Sequence, residues 1–262
     1  SRVADLAATV VVVDNASSDA TADRVQELIA SHGWSSQMEL LRAPSNDGFA
    51  AGNNAAMRAL RHSGFDGEFI LFLNPDTVVR PGAFKLLLDF MADQPDVGIA
   101  GGRSEDPDTK PQACCFRFPS ISREVAATMR LHVADRMLAP WLKLIDTPSA
   151  PLEVDWVSGA FMLVRREVFA QIGLMDEGYF LYFEETDFTI RARRAGWRCW
   201  HVPQSRIVHL VGQSSGVTVR GGRPRRRPAY WFESRRRYFI LNHGRPYAIL
   251  VDLAVAAGYC IA

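Results

Sequence analysis

The 262-residue chain has only four cysteines, Cys114, Cys115, Cys199 and Cys260, and no two form a C-x-x-C pair. That spacing excludes a zinc ribbon and a disulfide framework, and a reducing, cytoplasmic setting is expected. No apolar run reaches the roughly 18 to 20 residues that span a bilayer. The nearest, residues 248–262, is broken by Asp252. Residues 1–8 carry Arg2 and Asp5 and are too short for a signal peptide, so none is expected. Net charge is only +1, which excludes a polyanion binder acting through its overall field. There is no recognisable nucleic-acid motif, so no nucleic-acid partner is expected. There is no internal repeat, and no glycine-rich phosphate loop follows the first strand.

What is present is the balance of an ordinary folded protein, 48% hydrophobic and 23% charged. The length suits one large α/β domain with appendages, or two small domains. Residues 9–13 are a β-branched run, the pattern of a strand buried on both faces. Helix 20–31, strand 38–42, helix 48–62, strand 68–73, helix 81–92 and strand 97–100 follow. Proline suits the first turn of the third helix, at Pro81. This alternation predicts βαβ units and a mostly parallel, Rossmann-like sheet flanked by helices. Ligands of such sheets bind at the carboxyl ends of the strands. Beyond Gly102 the pattern loosens into loop 103–120, helix 122–144, strand-like 154–165, helices 166–172 and 186–195, and short strands 198–202 and 206–210. Residues 228–262 read as one or two helices.

Several polar groups fall where chemistry is expected, and each also has a structural reading. Asp76 follows an apolar strand and can hold a divalent cation against a diphosphate, since hard oxygen ligands suit Mg²⁺ or Mn²⁺; a Pro-Asp pair also simply starts turns. Asp14 closes the first strand and can meet a nucleotide, or it and Asn15 can cap the loop. Glu184, Glu185 and Asp187 open a helix after the aromatic stretch 179–183. One of them can act as a base if its neighbours raise its pKa, although acids are common in a first helical turn. His209 ends a strand and becomes a ligand only if others converge on it.

Their order and company are more specific. Val13-Asp14-Asn15-Ala16-Ser17-Ser18-Asp19 resembles the motif of family 2 glycosyltransferases in which a strand-end Asp contacts the nucleotide. Asn46-Asp47-Gly48-Phe49-Ala50-Ala51-Gly52-Asn53-Asn54 is similar to that family's N-x-G-F-x-x-G-x-N turn and helix. Leu73-Asn74-Pro75-Asp76 stands where the family carries D-x-D, with Asn74 replacing the first acid as in its rhamnosyltransferase-like branch. Trp156-Val157-Ser158-Gly159-Ala160-Phe161 resembles the acceptor-side strand. Residues 180–191 resemble the F-L-Y-x-E-D-x-D-L-x-x-R stretch that supplies the base.

The resemblance covers about residues 10–215 and implies a GT-A fold with a helical C-terminal extension. It divides the chain into a transferase domain, 1–215, and the extension, 216–262. Within the first, 1–102 is the nucleotide-binding part and 103–215 the acceptor-binding part. Implied donor-site residues are Asp14, Asn15, Asn46, Gly48, Asn53, Asn74 and Asp76, with Asp76 and His209 on the metal. Trp156, Gly159, Ala160, Glu184 and Asp187 border the acceptor, and Glu185 is the base. The implied reaction is inverting transfer from a dTDP-, UDP- or GDP-sugar to a glycan or lipid-linked hydroxyl in polysaccharide synthesis, with dTDP-rhamnose favoured. Rival readings are a nucleotidyltransferase and a non-catalytic nucleotide-binding module. Relatives begin with an apolar strand and a T-Y-N-like turn, whereas residue 1 falls inside the first helix. The expectation is a sheet without that strand and without one side of the nucleotide pocket. Eight arginines and one acid lie between Arg220 and Arg237. With the apolar residues 238–241 they form a candidate peripheral contact with anionic lipid at the inner membrane face, or else a solvated loop and a packed helix.

Overall fold

A computed structural model of the chain describes residues 8–128, 148–210 and 227–261. Strands β1 (Val10–Asp14) and β2 (Met38–Arg42) pair in parallel around helix α1 (Thr21–Ser31). Helix α2 (Phe49–His62) leads into the main sheet. That sheet has six strands: β3 (Phe69–Leu73), β4 (Thr77–Val79), β5 (Val97–Glu105), β7 (Leu152–Val154), β9 (Phe161–Arg165) and β10 (Arg198–His209). Its order is β3-β9-β5-β10-β4, with β7 also on β10. Two short strands, β6 (Cys115–Phe116) and β8 (Trp156–Val157), form a separate pair. The remaining helices are α3 (Ala83–Ala92), α4 (Ile121–Thr128), α5 (Arg166–Ile172), α6 (Glu184–Arg194), α7 (Ala229–His243) and α8 (Arg245–Ile261).

The α/β class with flanking helices is as expected, but the main sheet is mixed rather than mostly parallel. Strand β9 enters antiparallel between β3 and β5. Strands β3, β5 and β10 therefore run one way, and β4, β7 and β9 the other. The misreading has a physical cause. Burial on both faces produces a continuous apolar run, and burial does not report strand direction. In β9, Phe161 and Leu163 pack with Leu87, Met91 and Ile207 on one face, while Met162 and Val164 pack with Met57, Phe169 and Phe188 on the other. That alternation is the period of two of an extended strand, here with both faces covered.

Other boundaries also move. The run 154–165 divides between β7, β8 and β9, and the two short strands expected over 198–210 form one strand, β10, with register shifts between Arg198 and Cys199 and between Val202 and Arg206. Helix α4 covers the start of the expected helix 122–144; residues 129–147 lie outside the described residues. Among the described residues no strand joins β1 to β3, and each of the two pairs along one edge only. Helices α7 and α8 pack into a third cluster, where Tyr179, Phe183 and Ile190 meet Tyr238, Phe239, Ala248 and Val251.

Candidate active site

Because β3, β5 and β10 run the same way, their carboxyl ends share one edge of the main sheet, and β9 starts there. The Asn74 amide, just past β3, donates to the Ala160 carbonyl at 3.0 Å, beside the start of β9. The Thr77 hydroxyl donates to the Asn74 carbonyl at 2.7 Å. The chain then turns into β4, a strand the sequence reading passed over because Asp76 and Pro81 read as turn and helix start. β4 lies antiparallel on β10 with Thr77 opposite His209. This pairing brings His209 Nε2 to 3.2 Å from Asp76 Oδ1. That carboxylate oxygen is buried and receives no hydrogen bond. Two donor atoms so spaced match adjacent corners of an octahedron with bonds of 2.0–2.1 Å, which lie about 3 Å apart. The pair thus fits a divalent cation, and a lone oxygen with no hydrogen-bond donor is what a ligand position requires.

The end of β1 is joined to the start of α2. Asp14 Oδ2 accepts the Ser17 amide at 3.1 Å, and Ala16 between them has φ 56°. Asn15 reaches the Gly48 carbonyl through Nδ2 at 3.4 Å and lies against Gly52, where a Cβ would come within 2.6 Å of its side-chain oxygen. Asn46 Oδ1 accepts the Gly48 amide, and Asn53 Nδ2 donates to the Phe49 carbonyl. Asn46 therefore shapes the turn, and Asn53 bonds back to the first residue of α2. Gly48 has φ 96°, and a Cβ there would lie 2.1 Å from the Phe180 carbonyl oxygen. The next amide, Phe49, donates to that same carbonyl at 2.8 Å. The turn after β2 is in this way fastened to the loop before α6.

That loop is strained. Tyr182 and Phe183 have φ 72° and 71°, left-handed conformations that bulky residues rarely adopt and that cost about 1–3 kcal/mol each. They deliver Glu184 and Glu185 into the first turn of α6, two residues earlier than the sequence pattern predicted. Glu184 is buried, and its Oε2 receives no hydrogen bond. Burial first, and the neighbouring Glu185 charge second, hold its carboxyl well above the usual range. Glu185 keeps partial solvent contact. A Cβ at Gly159 would lie 3.8 Å from Glu185 Cβ and 3.2 Å from the Phe49 ring. The segment Gly159-Ala160 therefore touches the acidic turn, the α2 turn and the Asn74 loop.

Two candidates do not belong to this surface. Asp187 accepts from Arg191 at 2.8 Å, from Asn242 at 2.8 Å and from the Tyr179 hydroxyl at 3.4 Å, so its carboxylate is consumed in fastening α6 to α7. Trp156 stacks on Phe116 at 4.1 Å and donates its indole N–H to the Arg117 carbonyl, packing β8 on β6. An open depression of about 360 Å³ between α6 and α7 contains none of the candidates except Asp187.

The family model described as Glycosyltransferase like family 2 matches residues 3–232. The chain belongs to glycosyltransferase family 2. It is 28% identical over 219 residues to the N-acetylglucosaminyl-diphospho-decaprenol L-rhamnosyltransferase of Mycobacterium tuberculosis, covering 79% of this chain and 68% of that one. It is 24% identical over 240 residues to the dTDP-rhamnosyl transferase RfbF of Shigella flexneri, covering 89% and 71%. In structure it is similar to GalNAc-T7 solved with UDP, GalNAc and Mn²⁺, with a TM-score of 0.54 at 15% identity, covering 77% of this chain and 37% of that one. The last likeness shows the GT-A fold. The family assignment makes sugar transfer the activity class and sets aside the nucleotidyltransferase and binding-module readings.

The glycosyltransferase's C-terminal helices depart from the lipid-docking reading of residues 235–241. Tyr238 and Phe239 are buried. Arg235 is buried between Glu124 and Asp252, joining α4, α7 and α8, and Arg237 binds Asp176 through two nitrogens. Residues 211–226, with the first four of the arginines, lie outside the described residues. No described helix is long and apolar enough to cross a membrane. Asn54 was missed as a fastening residue. It exchanges two hydrogen bonds with the Met175 backbone and donates to Glu177. Its only sequence signal was its place beside Asn53 in the N-x-G-F-x-x-G-x-N segment.

Proposed function

We propose that this glycosyltransferase moves rhamnose from dTDP-rhamnose, with inversion, to a hydroxyl of a glycan or lipid-linked acceptor in cell-surface polysaccharide synthesis. The observation that carries the reading is that Gly159-Ala160, at one sheet edge, lies beside Glu185 on one side and on the other bonds Asn74, two residues before the Asp76 that pairs with His209. The rhamnosyl relatives and the Asn74-Pro75-Asp76 variant favour this donor. Asp14 and Asn15, beside the α2 turn, take the nucleotide end.

Asp76 and His209 would hold a divalent cation, Mg²⁺ or Mn²⁺. When bound, the ion neutralises the departing diphosphate. Glu185 is the general base. Of the two adjacent acids, Glu184 is buried and Glu185 keeps partial solvent contact, so an acceptor hydroxyl reaches Glu185 first. Glu185 takes the proton of the acceptor hydroxyl, whose oxygen attacks the anomeric carbon from the face opposite the diphosphate. Phe49 at Gly159 supplies an apolar wall that excludes competing water.

The test is nucleoside diphosphate release with dTDP-rhamnose, UDP- and GDP-sugars, alongside donor binding. Glu185→Gln is expected to cut turnover by about 100-fold or more while donor affinity changes little. Turnover retained within a few-fold would remove Glu185 from the role. We further infer work at the cytoplasmic membrane face, with contact through Ile249, Leu250 and Leu253, exposed together on α8, instead of Tyr238 and Phe239. Ile249→Glu/Leu253→Glu is expected to lower sedimentation with anionic vesicles; unchanged sedimentation would count against this surface.

A further inference from the structure

A second constellation lies inside the fold, apart from the Asp76–His209 pair. Cys114, Cys115 and His201 each offer a ligand atom, and these atoms all lie within 4.8 Å of one another. The three residues are nearly or wholly inaccessible, at 4%, 1% and 0% exposure. The adjacent cysteines and His201 come from segments far apart in sequence. Cys115 pairs with Val157 across β6 and β8, and the Cys114 carbonyl accepts the Ser158 amide at 3.0 Å. His201 sits in the first half of β10, opposite Gly101 of β5 and Leu152 of β7. Gly101 permits this convergence, since a Cβ there would come within 2.7 Å of the Val157 side chain.

His201 is the anomaly that needs an explanation. It is fully buried, yet neither ring nitrogen makes a hydrogen bond of acceptable geometry, although the Gly101 backbone is close. Buried polar atoms are nearly always satisfied, and an imidazole with both nitrogens unpaired is among the rarer exceptions. A metal on one nitrogen removes the deficit. A disulfide between Cys114 and Cys115 is the poorer use of the pair. Consecutive Cα atoms across a trans peptide lie about 3.8 Å apart, short of the usual disulfide range of about 4.4–6.8 Å. Cys199 leaves the same face of β10 two residues before His201 and is close enough to act on the Cys115 thiol.

We propose that Cys114, Cys115 and His201 form a buried site for one thiophilic cation of the Zn²⁺ class. Two thiolates and a neutral imidazole are the soft and borderline donors that select such ions over Mg²⁺ or Mn²⁺. Each coordinating thiol releases its proton, so two thiolates balance the divalent charge and Arg103 keeps its place beside Glu105, 3.8 Å away. The ion would tie the β6–β8 pair to the main sheet. That pair leads directly into Ser158-Gly159-Ala160, so the clamp would brace the acceptor side from behind. The inference does not depend on the transferase reading.

The experiment uses the full chain carrying Asp76→Ala/His209→Ala, so that the other candidate cation pair is silent. The protein is held under reductant and given Co²⁺ or Zn²⁺ either as the native fold or during refolding, since the site is closed to solvent. One equivalent of Co²⁺ with thiolate-to-cobalt charge-transfer absorption is expected, displaced by Zn²⁺ and absent in Cys114→Ser/Cys115→Ser. Native mass spectrometry of the chain refolded with Zn²⁺ reads occupancy without the cysteine variant. A gain of one zinc less two protons supports the site. An apo mass by both loading routes overturns it, as does a thiolate band that survives in the double cysteine variant.

Discussion

Gly48→Ala addresses the joint between the turn after β2 and the loop that presents the acidic pair. Two costs fall on this substitution. The backbone at Gly48, φ 96° and ψ −177°, is essentially reserved for glycine, which puts the strain at about 1–3 kcal/mol. The new methyl would also lie 2.1 Å from the Phe180 carbonyl oxygen, a backbone atom that cannot swing aside. Relief requires the loop to withdraw, and the Phe49-to-Phe180 hydrogen bond then goes, at about 0.5–1.5 kcal/mol. The sum is about 1.5–4.5 kcal/mol. At about 2–4 °C per kcal/mol for a chain near this size, the melting midpoint falls by roughly 3–18 °C. Gly33→Ala is the matched control. It has φ 68° with nothing within 4 Å of the added Cβ, so it carries backbone strain without the clash. The two variants are compared by calorimetry and by donor turnover measured well below both midpoints. Gly48→Ala is expected to melt below Gly33→Ala and to lose turnover by at least ten-fold, because the withdrawn loop takes Glu185 with it. Equal melting and full turnover in both would refute the idea that this contact positions the acidic turn.

Other substitutions read separate parts of the site. Glu184→Gln is expected to raise stability at neutral pH. An acid whose folded pKa is raised holds more protons folded than unfolded, so stability is fully present below the unfolded value near 4.3 and declines as pH rises towards the folded one. The variant should flatten that decline in melting scans from pH 4 to 8; an unchanged slope would show that Glu184 ionises normally. Asp76→Ala and His209→Ala are each expected to lower turnover by at least the roughly 10- to 100-fold that loss of an outer-shell partner of a metal site costs, and to weaken the rescue of EDTA-treated protein by Mn²⁺. Wild-type activity that ignores EDTA would disconnect the pair from catalysis.

The sequence was most informative where chemistry is tied to strand ends. Asp14, Asn74 and Asp76 were assigned to the ends of apolar runs, and that is where they lie. What it concealed were choices made between distant segments. Strand β9 is apolar on both faces, so nothing in it announces that it slips antiparallel between β3 and β5. Strand β4 is three residues long and exists because β10 is there to pair with it, and that pairing turned His209 from an isolated histidine into a partner of Asp76. Acid spacing alone could not rank Glu184, Glu185 and Asp187. Burial separates the first, and three partners from Tyr179, Arg191 and Asn242 remove the last. The aromatic residues of α7 read equally well as a membrane edge or a packed face until their neighbours were known.

The left-handed pair Tyr182-Phe183 has a consequence for how this chain can be cut and varied. A turn of that shape is cheaper with glycine or asparagine, so the two rings must be retained by what holds them. Phe183 is gripped by Trp231 and Tyr238, Tyr182 stacks on Tyr230, and the Ser234 hydroxyl caps the Leu181 carbonyl. Every one of those grips comes from α7. The helix thus works as a splint behind the acidic turn. Shortening the protein ahead of residue 229 would leave every residue matched to the donor-site motifs in place and still release the turn on which Glu185 rides.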